Sequence, residues 1–321
     1  MQLSPLDYTI WLTAPDDFAR QLAASIRRDG FMLLDRHPVV RTVRERAFAA
    51  ARGFFALPEE EKNRININRS PNHRGYFAPG QEKLDIAAYP QGDSKEGLKI
   101  GRDLDSSHPL VRAGIPLHGP NQWPKDAGFK PAMQALFDVC LETSRQLMDA
   151  LGLALGLPRG YFTPMLTQPM ATLAPLRYSP PGEGEIGAGA HTDFGCLTLV
   201  MQDGVPGLQF FDARDGAWVD APSDPDLLVV NVGDMLERWS NHRFPSTRHR
   251  VANKSERYSF AFFFDPNYNA SIAPLPSADG ANPPLYEPIG ALEYLQQRIG
   301  ESFDYFDQHG GETNGKMGAT A

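Results

Sequence analysis

Apolar residues return every three or four positions in the first quarter of the chain and crowd into short runs after residue 170. Phe18, Leu22 and Ile26 lie at helical spacing behind Pro15, Asp16 and Asp17, and Gly30 follows. Proline and acids favour the first turn of a helix, and glycine favours the residue after its last. The spacing predicts a helix here, then a short apolar strand at 31–34. A second helix from about Pro38 carries Val40, Val43, Ala47, Phe48, Ala51 and Phe54, and LPEEEK at 57–62 opens a further helical turn. From about 72 to 125 the periodicity fades and Gly, Pro, Asp and Ser become frequent. This predicts a long irregular segment that wraps the later core and helps shape a pocket. Leu136, Cys140, Leu147 and Leu151 then mark one face of a long helix over 130–155.

After Met170 the texture is that of strands. MATLAPLRY, CLTLVMQ, GLQFFD, AWVDA, DLLVVNVGD, TRHRVAN and RYSFAFFF are separated by Gly, Pro, Asp and Asn. Many short strands at close spacing predict a sandwich or barrel. Leu292, Leu295 and Ile299 predict a final helix around 290–305, and the tail after His309, GGETNGKMGATA, is expected to lack fixed structure. The chain divides into a helical and irregular region (1–125), a helix plus β core (126–309) and a tail (310–321), the first two packing as one unit.

Composition narrows the class. Apolar residues are 41% and charged residues 22%, as in ordinary globular proteins. The formal charge is −8 and no long basic run occurs, which argues against nucleic acid or an anionic membrane surface as partner. No apolar stretch approaches the length of a membrane-spanning helix, and the first residues lack a signal-peptide pattern. Two cysteines, Cys140 and Cys196, make no disulfide framework and fit a reducing compartment, so a cytoplasmic protein is expected.

The candidate chemistry lies in the second half. His191 and Asp193 are two residues apart, and on an extended strand such residues share a face. Gly195 follows, where a backbone can approach closely. His249 lies downstream in the strand-like TRHRV. Two imidazoles and one carboxylate leave one side of a metal open, which is the facial triad of non-haem iron(II) oxygenases. The open positions admit a co-substrate and dioxygen. Arg257 and Ser259, again two apart, begin the most apolar strand of the chain. A planar guanidinium beside a hydroxyl suits a carboxylate.

Four strings, HTDFGCLTLVMQD with GLQ, NVGDMLERWSN, STRHRV and RYSFAFFF, resemble the catalytic core of the 2-oxoglutarate and iron(II)-dependent oxygenases related to isopenicillin N synthase. DGFMLLD, ARGFFALPEEEK, RGYFAPGQEKLD and SKEGLKIG resemble that family's N-terminal region. The resemblance implies an α+β protein with a double-stranded β-helix, a distorted jelly roll, flanked by helices. It implies iron(II) on His191, Asp193 and His249, and 2-oxoglutarate on Arg257, Ser259 and Tyr178 of LRYSP. It also implies a dioxygenase that uses O2 to oxidise a C–H bond of a small molecule, by hydroxylation as the default, releasing succinate and carbon dioxide. Leu173-Ala174 departs from the Leu-Arg of many relatives on the strand before Tyr178.

The same pattern selects His249 over His242, since Asn241-His242 reads as turn chemistry. The other histidines are expected at the surface or hydrogen-bonded, and Cys196 as a small buried apolar residue. Phe194, Tyr76 and Arg74 are candidate substrate contacts. Two other readings use the same residues. One is an iron-dependent oxidase that needs no 2-oxoglutarate, and the other is a non-catalytic metal- or ligand-binding protein.

Overall fold

Met32 and Leu34 leave the strand Phe31–Asp35 on one side, Phe31 and Leu33 on the other, and both sides are buried. That double burial recurs across a large sheet. Leu199, Val230 and Phe262 face the helices, while Val200, Val229 and Ala261 face inward, as strand alternation requires. The computed structural model describes residues 4–183, 185–276 and 283–303. The expected tail after His309 lies outside them.

The large sheet has eight strands. From edge to edge they are Leu6–Asp7, Phe31–Asp35, Leu228–Val232, Leu197–Gln202, Arg257–Asn267, Pro169–Tyr178, Lys95–Gly101 and Gly75–Phe77. A four-stranded sheet runs Ala188–His191, His249–Val251, Leu208–Asp212 and Ala217–Asp220. Leu33, Ala174 and Leu176 of the first pack with Ala188, Leu208 and Phe210 of the second, and a cavity lies between the sheets. Helices Pro15–Asp29, Arg41–Phe55 and Phe129–Ala154 cover the outer face of the large sheet. Pro15 opens the first of these and Gly30 ends it at φ 68°, a left-handed turn that glycine adopts without a Cβ clash.

The expected helices near 15–29, 41–55, 59–63, 129–154 and 291–300 are present. The irregular segment 72–125 needs correction. It holds two strands of the large sheet, and all seven residues of Lys95–Gly101 are buried. Its lysines and glutamate are each paired inside the protein.

Candidate active site

His191 ends the strand Ala188–His191, and Asp193 lies in the turn beyond it rather than on an extended strand. The two still converge, with His191 Nε2 3.7 Å from Asp193 Oδ1. His249 begins the neighbouring strand opposite His191, and its Nε2 is also 3.7 Å from Asp193 Oδ1. The imidazole centroids are 4.2 Å apart. One potential ligand atom from each residue falls within 4.8 Å of the others.

Neighbouring groups fix how the three point. His191 Nδ1 is 2.8 Å from Gly189 O, and His249 Nδ1 is 3.1 Å from Thr247 O. A carbonyl only accepts, so each Nδ1 carries the proton and each Nε2 offers its lone pair to the shared space. Burial, with the adjacent His249, pushes His191 down to about 3, so it is neutral at physiological pH. Burial alone would raise Asp193. The neighbouring His249 and His191 imidazoles, and hydrogen bonds from Asn231 and Thr198, hold its carboxyl below the usual range. Asn231 Nδ2 donates to Asp193 Oδ2 at 2.6 Å and leaves Oδ1 toward the imidazoles. Two imidazoles and one carboxylate converging on one space fit a divalent iron.

The close approach expected at Gly195 is present. A Cβ there would meet Asp265 Oδ1 at 1.9 Å. Glycine therefore lets the ligand turn lie against the strand Arg257–Asn267, where Cys196 N also donates to Asp265 at 3.1 Å.

Alternate residues of that strand, Arg257, Ser259, Ala261, Phe263 and Asp265, line the cavity. Arg257 is only 1% exposed. Its Nε donates to Val205 O at 3.3 Å and its Nη2 to Gln202 Oε1 at 3.1 Å, while buried Nη1 has no partner among the described residues. Tyr178 pairs across from Arg257, and the guanidinium carbon sits 5.0 Å from the tyrosine ring centroid. A buried guanidinium with neutral partners and one unmatched donor edge fits a carboxylate from outside the protein.

Phe194 and Arg74 also line the cavity, but Tyr76 does not. Alternation turns Phe77 inward and Tyr76 the other way, into the helix-side core, where its hydroxyl donates to Glu96 Oε2 at 2.7 Å. His73, expected at the surface or hydrogen-bonded, is not at the surface but a buried lining residue. His242 is exposed at a positive φ of 61°, with Nδ1 2.6 Å from Glu237 Oε1 and its ring stacked on Tyr286. Sequence reasoning missed Asn231, Glu82, Lys95 and Lys99. The two lysines carried a signal only in the buried, alternating KEGLKIG strand, and Glu82 carried none.

Comparison with known proteins agrees along most of the chain. The profile described as the N-terminal region of non-haem dioxygenases in morphine synthesis matches residues 3–126, and that of the 2OG-Fe(II) oxygenase superfamily matches 172–266. A 2-oxoglutarate-Fe(II) type oxidoreductase of Emericella nidulans is 36% identical over 88% of this chain and 84% of its own length. A proline hydroxylase of Petromyces alliaceus is 32% identical over 94% of this chain and 100% of its own. Among solved structures, a full-length Neurospora crassa protein in complex with alpha-KG superposes with a TM-score of 0.80 at 31% identity, covering 93% of this chain and 96% of that one.

Proposed function

This chain belongs to the 2OG-Fe(II) oxygenase superfamily, and from that premise we propose that His191, Asp193 and His249 hold its iron while Arg257, Ser259 and Tyr178 hold its 2-oxoglutarate. The fold is the double-stranded β-helix of these enzymes, and the protein is a 2-oxoglutarate- and iron(II)-dependent dioxygenase that acts on a small molecule. The specific outcome we propose is hydroxylation of a substrate C–H bond. When bound, iron(II) and 2-oxoglutarate together activate dioxygen, with release of succinate and carbon dioxide.

The chain's own residues supply position and exclude water. The carbonyls of Gly189 and Thr247 aim the two imidazoles, and Asn231 turns the Asp193 carboxylate. Arg257 offers a planar fork to the far carboxylate of the co-substrate, Ser259 adds a hydroxyl donor, and the Tyr178 ring packs on the guanidinium. Leu176, Val200, Leu208 and Val251 keep this end of the cavity apolar, which strengthens each electrostatic contact made there. Glu82, Lys95, Lys99 and Leu117 of the N-terminal region wall the same cavity, which supports one functional unit across 1–125 and 126–309. Both cysteines are free and buried, which supports a reducing, cytoplasmic setting.

The observation that carries the reading is the pairing of a convergent His–Asp–His set with the unmatched donor edge of Arg257 in one cavity. The test is to supply purified protein with iron(II), 2-oxoglutarate and dioxygen and to measure succinate. Iron-dependent succinate formation that rises with a substrate is expected. Succinate formation that is equal with and without iron would refute it.

A further inference from the structure

The strand Lys95–Gly101 is buried along its length and sends Lys95 and Lys99 into the cavity, where Glu82 meets them. The two lysines are neutralised unequally. Lys95 has two carboxylates, Asp93 and Glu82, the latter at 2.8 Å. Asp93 also accepts from Gly189 N at 2.9 Å and stands behind the lining. Lys99 shares only Glu82, at 3.1 Å, and among the described residues no other carboxylate lies within ion-pair distance. The rest of its ammonium is surrounded by rings. Phe263, Phe77 and Phe303 have centroids 5.1, 5.4 and 5.8 Å away.

The cluster holds two ammonium groups and two carboxylates, but Asp93 serves Lys95 alone, and Glu82 at the cavity surface is shared by both lysines. Ring faces attract a cation but do not replace a counter-ion. A buried ammonium with one shared counter-ion carries a desolvation cost that a methionine of similar length would avoid. Lys99 keeps donors that an anion could use. The place is also distinct from the co-substrate clamp. Lys95 is in register with Tyr178, and Tyr178 with Arg257. Lys99, four residues on, is displaced along the strand by roughly 13 Å from that level.

We propose that Lys99 determines substrate specificity, and that the substrate is a small planar acid whose carboxylate binds Lys99 while its ring packs on Phe263 and Phe303. The proposal rests on the function above, because it takes the Arg257 end of the cavity as the 2-oxoglutarate site.

The test uses the iron(II)- and 2-oxoglutarate-loaded protein without oxygen. Its visible charge-transfer band is titrated with benzoate, phenylacetate and cinnamate and with their neutral carboxamides. At least one carboxylate should bind about tenfold or more tighter than its amide. Lys99→Gln should remove that preference by weakening the carboxylate alone, and Lys99→Arg should keep it. Formation of the band in each variant reports that the fold and the co-substrate site are intact. The proposal fails if wild-type protein prefers no carboxylate over its amide, or if Lys99→Gln retains the preference. Absence of the band in wild-type protein would overturn the underlying function and this proposal with it.

Discussion

Two strands flank Pro169–Tyr178, and both carry buried cations into one cavity, yet they treat the charge in opposite ways. On Arg257–Asn267, Arg257 meets a carbonyl and an amide oxygen and keeps one donor unmatched. On Lys95–Gly101, Lys95 meets two carboxylates. Burial would lower the Lys95 ammonium, but Asp93 and Glu82 raise it above the ordinary lysine value. A buried cation with internal counter-ions belongs to the fold, and removing it strands the carboxylates. A buried cation given only neutral partners is reserved for an anion from outside, and removing it spares the fold.

The largest effects should come where the binding end is taken apart. His191→Ala, Asp193→Ala and His249→Ala should each abolish iron-dependent succinate formation, because three ligands are the minimum of the triad. The metal-free variants should remain folded by circular dichroism. His242→Ala, whose ring pairs with Glu237 and Tyr286, should keep both iron and activity. Iron bound as tightly by His249→Ala as by wild type would move the third ligand elsewhere.

Next comes the reciprocal pair. Lys95→Met leaves Asp93 buried without its cation and Glu82 with Lys99 alone, which should cost about 3–5 kcal/mol of stability. Arg257→Ala should cost a similar free energy in 2-oxoglutarate binding, and Arg257→Lys should restore only part because it lacks the fork. Thermal melting and 2-oxoglutarate titration on both variants separate the two roles. If Arg257→Ala melted as early as Lys95→Met, the contrast between the strands would collapse.

A smaller effect lies at the far end of the arginine strand. Burial pushes Asp265 up to about 7 from an ordinary value of 3.8. The folded, metal-free protein then binds a proton that the unfolded chain has released, so stability falls as pH rises from about 4 to 7. Asp265→Asn should flatten that part of a denaturation profile measured against pH. An unchanged slope would show that Asp265 is ionised in the fold.

The smallest effect is expected on the outward face of the edge strand Gly75–Phe77. Tyr76→Phe loses one hydrogen bond to Glu96 and should cost about 1 kcal/mol of stability. Its 2-oxoglutarate affinity should match wild type. A clear loss of that affinity would mean that the two faces are not insulated.

The same contrast explains what was legible in the sequence. His191, Asp193, Arg257 and Ser259 stand in pairs two residues apart beside apolar strands, so short-range spacing was enough to bring them forward. KEGLKIG lies where periodicity fades and Gly, Pro, Asp and Ser are frequent, so it reads as part of an irregular segment, and the partners of its lysines, Glu82 and Asp93, are not visible as partners without the fold. Tyr76 was misplaced by one step of alternation, which no local pattern could fix once the strand Gly75–Phe77 was missed. Asn231 carries no signal of its own within DLLVVNVGD, and only the fold brings Asp193 to it.

The claim at the centre is that Arg257 is kept for a carboxylate while Lys95 is not. Calorimetric titration of 2-oxoglutarate into anaerobic iron(II)-loaded protein tests it directly, using wild type, Arg257→Ala and Lys95→Met at a temperature where all three are folded. Arg257→Ala should bind roughly a hundredfold or more weakly, and Lys95→Met within a few fold of wild type. Affinity unchanged in Arg257→Ala, or lost equally in both, would contradict the account.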